Sequence, residues 1–107
     1  MTPHLSINAM NGCSGFNTMR VSGHLGKKTI HILLDSGSIH NFLDEQLARR
    51  LGYRLESIAK QSVVIAGGRT MICQYVCRRF TCTMQGTEFV SDALLLPLGG
   101  CDLVLRV

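Results

Sequence analysis

A chain of 107 residues is one domain with a single modest core, and a two-lobed enzyme enclosing its own cleft is out of reach at that size. Hydrophobic residues make up 46% of it and charged residues only 17%, with a net charge of +4. So little charge leaves apolar surface to be covered, and self-association is the simplest cover. The basic doublets Lys27-Lys28, Arg49-Arg50 and Arg78-Arg79 lie far apart, and two Tyr and four Phe offer little base stacking, which argues against a nucleic-acid module.

The first 16 residues, rich in Asn, Ser and Gly and without a period, are expected to form a flexible N-terminal arm, with the folded domain spanning 17–107. They carry neither a charged n-region nor an apolar h-region, so a reduced intracellular protein that is not secreted is expected. Cys73, Cys77, Cys82 and Cys101 have no Cys-x-x-Cys spacing, and His4, His24, His31 and His40 do not pair with them at zinc-ligand intervals. Buried free thiols and no metal are expected. No stretch approaches 18 consecutive apolar residues, so no membrane span is expected.

Next, "TMRVSGHLGKKTIHILLD" predicts a hairpin with its turn at Gly26-Lys27 and a returning strand over Thr29 to Leu34. Ile30, Ile32 and Leu34 share one face, and Leu33 makes the end of that strand apolar on both sides. After "DSGS", the spacing of Phe42, Leu43, Leu47 and Leu51 predicts a helix. Asn41 is its expected cap, Asp44 and Glu45 suit its first turn, Arg49-Arg50 suit its last, and Gly52 ends it. "SVVIAGGRTMICQYVC" predicts a hairpin tipped by Gly67-Gly68, and "RRFTCTMQGTEFVSDALLLPLG" a further strand pair turning near Gln85-Gly86. The fold class is therefore mainly β: a small closed antiparallel barrel with one helix after the loop that follows the second strand.

Asp35 stands out. Asp, Ser and Gly are ordinary turn residues, so "DSGS" by itself also reads as a plain strand exit. Yet the acid ends an apolar strand with no polar lead-in, and a helix follows almost at once. A carboxylate in a loop walled by core is costly unless something compensates it. A second carboxylate sharing its proton removes that cost. The chain holds no second Asp-Ser-Gly or Asp-Thr-Gly, so the partner acid must come from a second copy, a homodimer.

Strand, "DSGS", helix, Gly-tipped hairpin and the late "DLVL" together resemble the retropepsins, the dimeric aspartic proteases of retroviruses and LTR retrotransposons. "HILLDSGSIHNFLDEQLARRLG" is most similar to the protease of gypsy-type plant retrotransposon polyproteins. The resemblance implies a retropepsin-like acid protease fold and a homodimeric endopeptidase that processes a retroelement polyprotein and needs no cofactor. It implies that Asp35 of each copy forms a dyad activating a water. Ser36 would hydrogen-bond across the two-fold axis, Gly37 would let the two loops pass closely, and Ser38 would support the carboxylate from its outer side. Ile65, Ala66, Gly67 and Gly68 would form the flap over an extended peptide substrate, although Gly-Gly is also a plain surface turn.

Active members of that family carry Gly after the late apolar run, where this chain has Arg106. A long charged side chain there should strain the loop's support or leave for solvent, so that Arg106→Gly should stabilise. The chain also stops at Val107, short of residues that usually finish the fold, so a truncated or decayed copy is the competing expectation. Such a domain would only dimerise or bind peptide. A Cys/His metal or RNA-binding module is poorly supported by the spacings.

Overall fold

The computed structural model describes residues 18–64 and 70–107. The expected arm over 1–16, and Ile65, Ala66, Gly67 and Gly68 at the hairpin tip, lie outside the described residues. Seven strands form one sheet in the order β1-β2-β7-β3-β6-β5-β4. In chain order they are β1 (Thr18–Leu25), β2 (Lys28–Asp35), β3 (Phe42–Asp44), β4 (Glu56–Val64), β5 (Thr70–Met84), β6 (Thr87–Leu96) and β7 (Leu103–Arg106). A short helix, α1 (Glu45–Arg50), follows β3. A further bridge between His24 and Thr83 brings β1 to β5. Six strands thus come round on themselves, and β4 lies outside at the sheet edge. The mainly β class is as expected. The antiparallel pattern is interrupted twice, because β7 pairs parallel with β2 and β3 pairs parallel with β6.

Both tight turns fall where glycine allows them. Leu25 pairs with Lys28 across Gly26-Lys27, with Gly26 at φ +60°. Met84 pairs with Thr87 across Gln85-Gly86, where both residues have positive φ, the conformation that matches strand twist in a two-residue hairpin. The two separate strands expected over 70–84 are one strand of 15 residues. Its ladder to β6 slips between Cys77 and Phe80, where Arg79 takes a left-handed φ of 55°. The irregularity is held from both sides. Asp92 accepts the Arg79 backbone N–H at 2.8 Å and an Arg78 N–H at 3.2 Å, while Arg78 also pairs with Glu56 at 3.0 Å.

The helix begins later than its spacing predicts. Phe42 and Leu43 are buried in β3, which pairs with β6 on one side and β7 on the other. Ladder bonds on both sides satisfy the backbone there, and that outweighs the helical period. Asp44, not Asn41, is the N-cap: its Oδ2 accepts the Leu47 backbone N–H at 3.1 Å, and its Oδ1 accepts that of Leu98 at 2.9 Å. Leu47 and Ala48 bury the inner face, Glu45 and Arg49 pair at 3.0 Å on the outer one, and Gly52 at φ +77° ends the helix.

Strand alternation divides the interior. Ile30 and Ile32 point into one cluster with Leu43, Leu47, Phe80 and Leu103. Leu33 points the other way, into a second cluster with Phe42, Val63, Cys73, Leu96 and Val104. Burial pushes the Cys77 and Cys82 thiols above their ordinary pKa and that of Cys101 up to about 11, so these cysteines stay as protonated, inert packing groups.

Gly23 sits where β1 crosses β5. A Cβ there would lie 2.5 Å from Ile32 Cδ1 and 2.7 Å from the Thr83 carbonyl oxygen. Gly23→Ala is expected to destabilise the fold by about 1–3 kcal/mol through overpacking, read as a lower urea midpoint with an unchanged m-value. The same substitution at the open Gly100 serves as the control.

Candidate active site

Asp35 is the last residue of β2 and shares the face of Leu33, so the fold carries its carboxylate toward the second cluster. It is 1% exposed, and with Ser38 it makes up the buried polar residues among those described. Its backbone is held on both flanks. Thr18 of β1 and Arg106 of β7 are its ladder partners, and its carbonyl accepts the N–H groups of Ser38 and Val107, each at 3.4 Å. The turn that follows folds back onto the carboxylate, with the Gly37 N–H donating to Oδ1 at 2.8 Å.

Two opposing effects act on this acid. Loss of water raises its pKa above the ordinary carboxylate value, and the backbone N–H groups of Gly37 and Ser38 pull it part of the way back. The result is a carboxyl that holds its proton more tightly than an exposed one, as a general acid must. Ser38 shapes the loop through its hydroxyl as well, donating to the His40 carbonyl at 2.6 Å and accepting the His40 N–H at 3.4 Å. Ser36 is exposed on the outer side of the turn.

Beyond the loop lies a cavity of about 210 Å³ lined mostly by apolar atoms. Ile39, His40 and Phe42 come from the segment after Asp35, and Gln61 to Val64 from the arm of β4 that leads to the hairpin tip. Its volume falls below the ~300–1,000 Å³ of pockets that enclose whole small ligands, so it suits one side chain of a longer molecule. Residues 35 to 38 do not line this cavity themselves; it begins at Ile39, the next residue of the same loop. A larger cleft of about 560 Å³ lies against α1 and Asp102, away from Asp35. No group of three or more His, Cys, Asp or Glu that could hold a metal occurs among the described residues.

Sequence reasoning gave Asn41 a different role, that of helix cap, and left Arg106 open between straining the loop and leaving for solvent. Asn41 is a junction, accepting the Arg106 backbone N–H at 2.9 Å and donating to Ser91 Oγ at 2.8 Å and the Asp92 carbonyl at 3.2 Å. Arg106 takes the exit to solvent, and its Nη1 donates to the Ile39 carbonyl at 3.2 Å. The long side chain does not crowd the loop; it straps it from outside. The anchoring of β7 was equally hidden: Asp102 Oδ2 accepts the His31 N–H at 2.8 Å, and the Asp102 carbonyl accepts that of Asp44 at 2.9 Å.

Two expectations follow. Because folding raises the pKa of Asp35, its contribution to stability is fully present below the unfolded value of about 4 and is lost as pH rises through the folded value. Asp35→Asn should therefore raise the melting temperature at pH 7, and the gain should vanish near pH 3. For Arg106→Gly, the sign expected from sequence is reversed. Loss of a hydrogen bond worth ~0.5–1.5 kcal/mol and the added flexibility of Gly, ~0.5–1 kcal/mol, should destabilise. Paired denaturation curves of the two proteins measure it.

Comparison with known proteins agrees with this geometry. Residues 20–107 match the family model described as retroviral aspartyl protease. No curated protein matches at a significant level. Among solved structures, the crystal structure of the retroviral protease-like domain of Ddi1 from Leishmania major is similar in fold. Its TM-score is 0.65 at 14% identity, over 84% of this chain and 72% of that one. A chain that ends an apolar strand in the buried aspartate of an Asp-Ser-Gly-Ser turn, and matches that family over most of its length, belongs to the retroviral aspartyl protease family.

Proposed function

We propose that this chain is an aspartic endopeptidase acting as a homodimer, each copy giving one Asp35 to a shared dyad. The observation that carries the reading is a buried Asp35 with a raised pKa, cradled by Gly37, in a loop whose next residues, Ile39 and His40, line an apolar cavity. Two such carboxyls facing each other cannot both ionise readily, so the pair keeps one proton. The ionised partner takes a proton from water as that water's oxygen adds to a peptide carbonyl carbon. The protonated partner gives its proton to the carbonyl oxygen. As the adduct collapses and the C–N bond breaks, the carboxyl that took the water's proton gives it to the leaving nitrogen. Its ionised partner takes a proton from an adduct hydroxyl, leaving an acid, an amine and the starting dyad.

The substrate would be an extended segment, lying between the Asp35 loop and the β4–β5 hairpin with one apolar side chain in the cavity. Ser36, which is exposed, would meet the second copy, and Ile39 and Val107, 62% and 73% exposed, would add apolar surface to that contact. Residues 65–68 would close over the peptide as a flap. The substrate class we propose is a retroelement polyprotein of the gypsy type. Its site of action would be a reducing compartment, which suits the free thiols of Cys73, Cys77, Cys82 and Cys101. The solvent exit of Arg106 removes the main argument for a decayed copy.

A peptide-library assay from pH 3 to 7 tests the proposal. A bell-shaped profile is expected, with Asp35→Asn lowering turnover by about 10²–10⁴-fold or more. Sedimentation over the same concentrations should show monomer and dimer in exchange. Activity that survives Asp35→Asn, or a strict monomer that still cleaves, would overturn the shared dyad.

A further inference from the structure

The loop after Asp35 is pinned by one uncharged side chain with no part in the chemistry. We propose that Asn41 is the positioning residue of the Asp35 loop: its carboxamide ties the loop's end to β7 at the level of Asp35 and to β6, holding closed the wall beside the carboxylate. This inference rests on the aspartic-peptidase reading for its meaning in turnover, though not for its geometry.

Each bond has a fixed sense. The Arg106 backbone N–H can only donate, so it requires Oδ1, at 2.9 Å. The Asp92 carbonyl can only accept, so it requires Nδ2, at 3.2 Å, and the second Nδ2 hydrogen goes to Ser91 Oγ at 2.8 Å. A side chain of this size must therefore accept on one arm and donate twice on the other, which Asn does and neither Asp nor Leu can. The Asn41 carbonyl adds a bond from the Leu94 N–H at 3.0 Å. One residue thus joins the loop to two strands that β3 separates in the sheet.

The bond to Arg106 matters most for the site. Arg106 is the ladder partner of Asp35, and Val107 donates to the Asp35 carbonyl. Oδ1 of Asn41 continues the hydrogen bonding of β7 where β3 has turned away toward the loop, and so fixes the strand end that backs Asp35. The Arg106 side chain closes the same circuit by reaching Ile39. Without Asn41, the end of β7 and the loop would separate and water would enter beside Asp35. Around Asn41 itself, Asp92 on β6, Arg78 on β5 and His40 in the loop line one shallow cavity with it, and Arg106 on β7 donates its backbone N–H to it. Asp92 is already committed to Arg78.

The test is Asn41→Leu in the full chain, followed by carbon-detected NMR titration of the Asp35 carboxyl together with steady-state kinetics. The Asp35 midpoints should fall toward the ordinary carboxylate range, and kcat should drop about 10–100-fold with KM nearly unchanged. Asn41→Ser, which keeps one hydrogen-bonding arm, should fall between the two and is the fallback if the Leu variant does not fold. Glu45→Gln, which removes the Glu45–Arg49 pair on the outer face of α1, should lower the melting temperature without moving the Asp35 titration. A titration unchanged in both Asn41 variants, or shifted equally by Glu45→Gln, would overturn the proposal. If no peptidase activity exists but the Asp35 midpoints follow Asn41, the enzyme reading fails and the positioning role stands.

Discussion

The loop that ends β2 places a carboxyl where water is scarce, and the surrounding architecture is what makes that place habitable. An isolated buried acid would be costly. Here the opposing demands are balanced locally: removal from solvent favours the proton, while the Gly37 and Ser38 N–H groups favour the charge. Neither influence could act without strands on both flanks. β1 and β7 fix the Asp35 backbone, so the turn can aim the Gly37 amide at the carboxylate while the Ser38 amide closes it on the Asp35 carbonyl.

That arrangement depends on a strand inserted from far along the chain. β7 lies between β2 and β3, and the four residues of Leu103–Arg106 supply few ladder bonds of their own. Three side chains compensate. Asp102 takes the His31 N–H at the start of β7. Asp44 caps α1 and takes the Leu98 N–H in the approach to it. Asn41 holds its end. Polar side chains that read as surface decoration or a helix cap are, in the fold, the couplings between non-local strands.

What could be read in advance follows from range. The hairpin turns were legible because Gly26 and the Gln85-Gly86 pair answer a local backbone demand. Asp35 was legible because an apolar run ending in an acid is a local conflict, and such conflicts gather at functional sites. The start of α1 was not, because Phe42 and Leu43 fit a helical stripe equally well and only the distant strands β6 and β7 decide for β3. The continuity of β5 through Arg78-Arg79 was hidden for the same reason: the charges of Glu56 and Asp92, 22 and 13 residues away from those arginines, hold the kink. The choice for Arg106 between strain and a solvent exit stayed open because a sequence does not show which way a side chain leaves a strand.

The position of β4 outside the ring bears on how readily the hairpin arm can yield. Of its nine residues only Val63 is buried, with Ile58 half-buried, so lifting its distal half exposes little more than one aliphatic side chain, a cost of roughly 1.5–3 kcal/mol. The near end is tethered differently, by the Glu56–Arg78 pair at the kink in β5. The arm is thus a cantilever, clamped by charge at its root and lightly greased at its tip. What couples it to the frame around Asp35 is the second cluster, where Val63 meets Leu33, Phe42 and Val104.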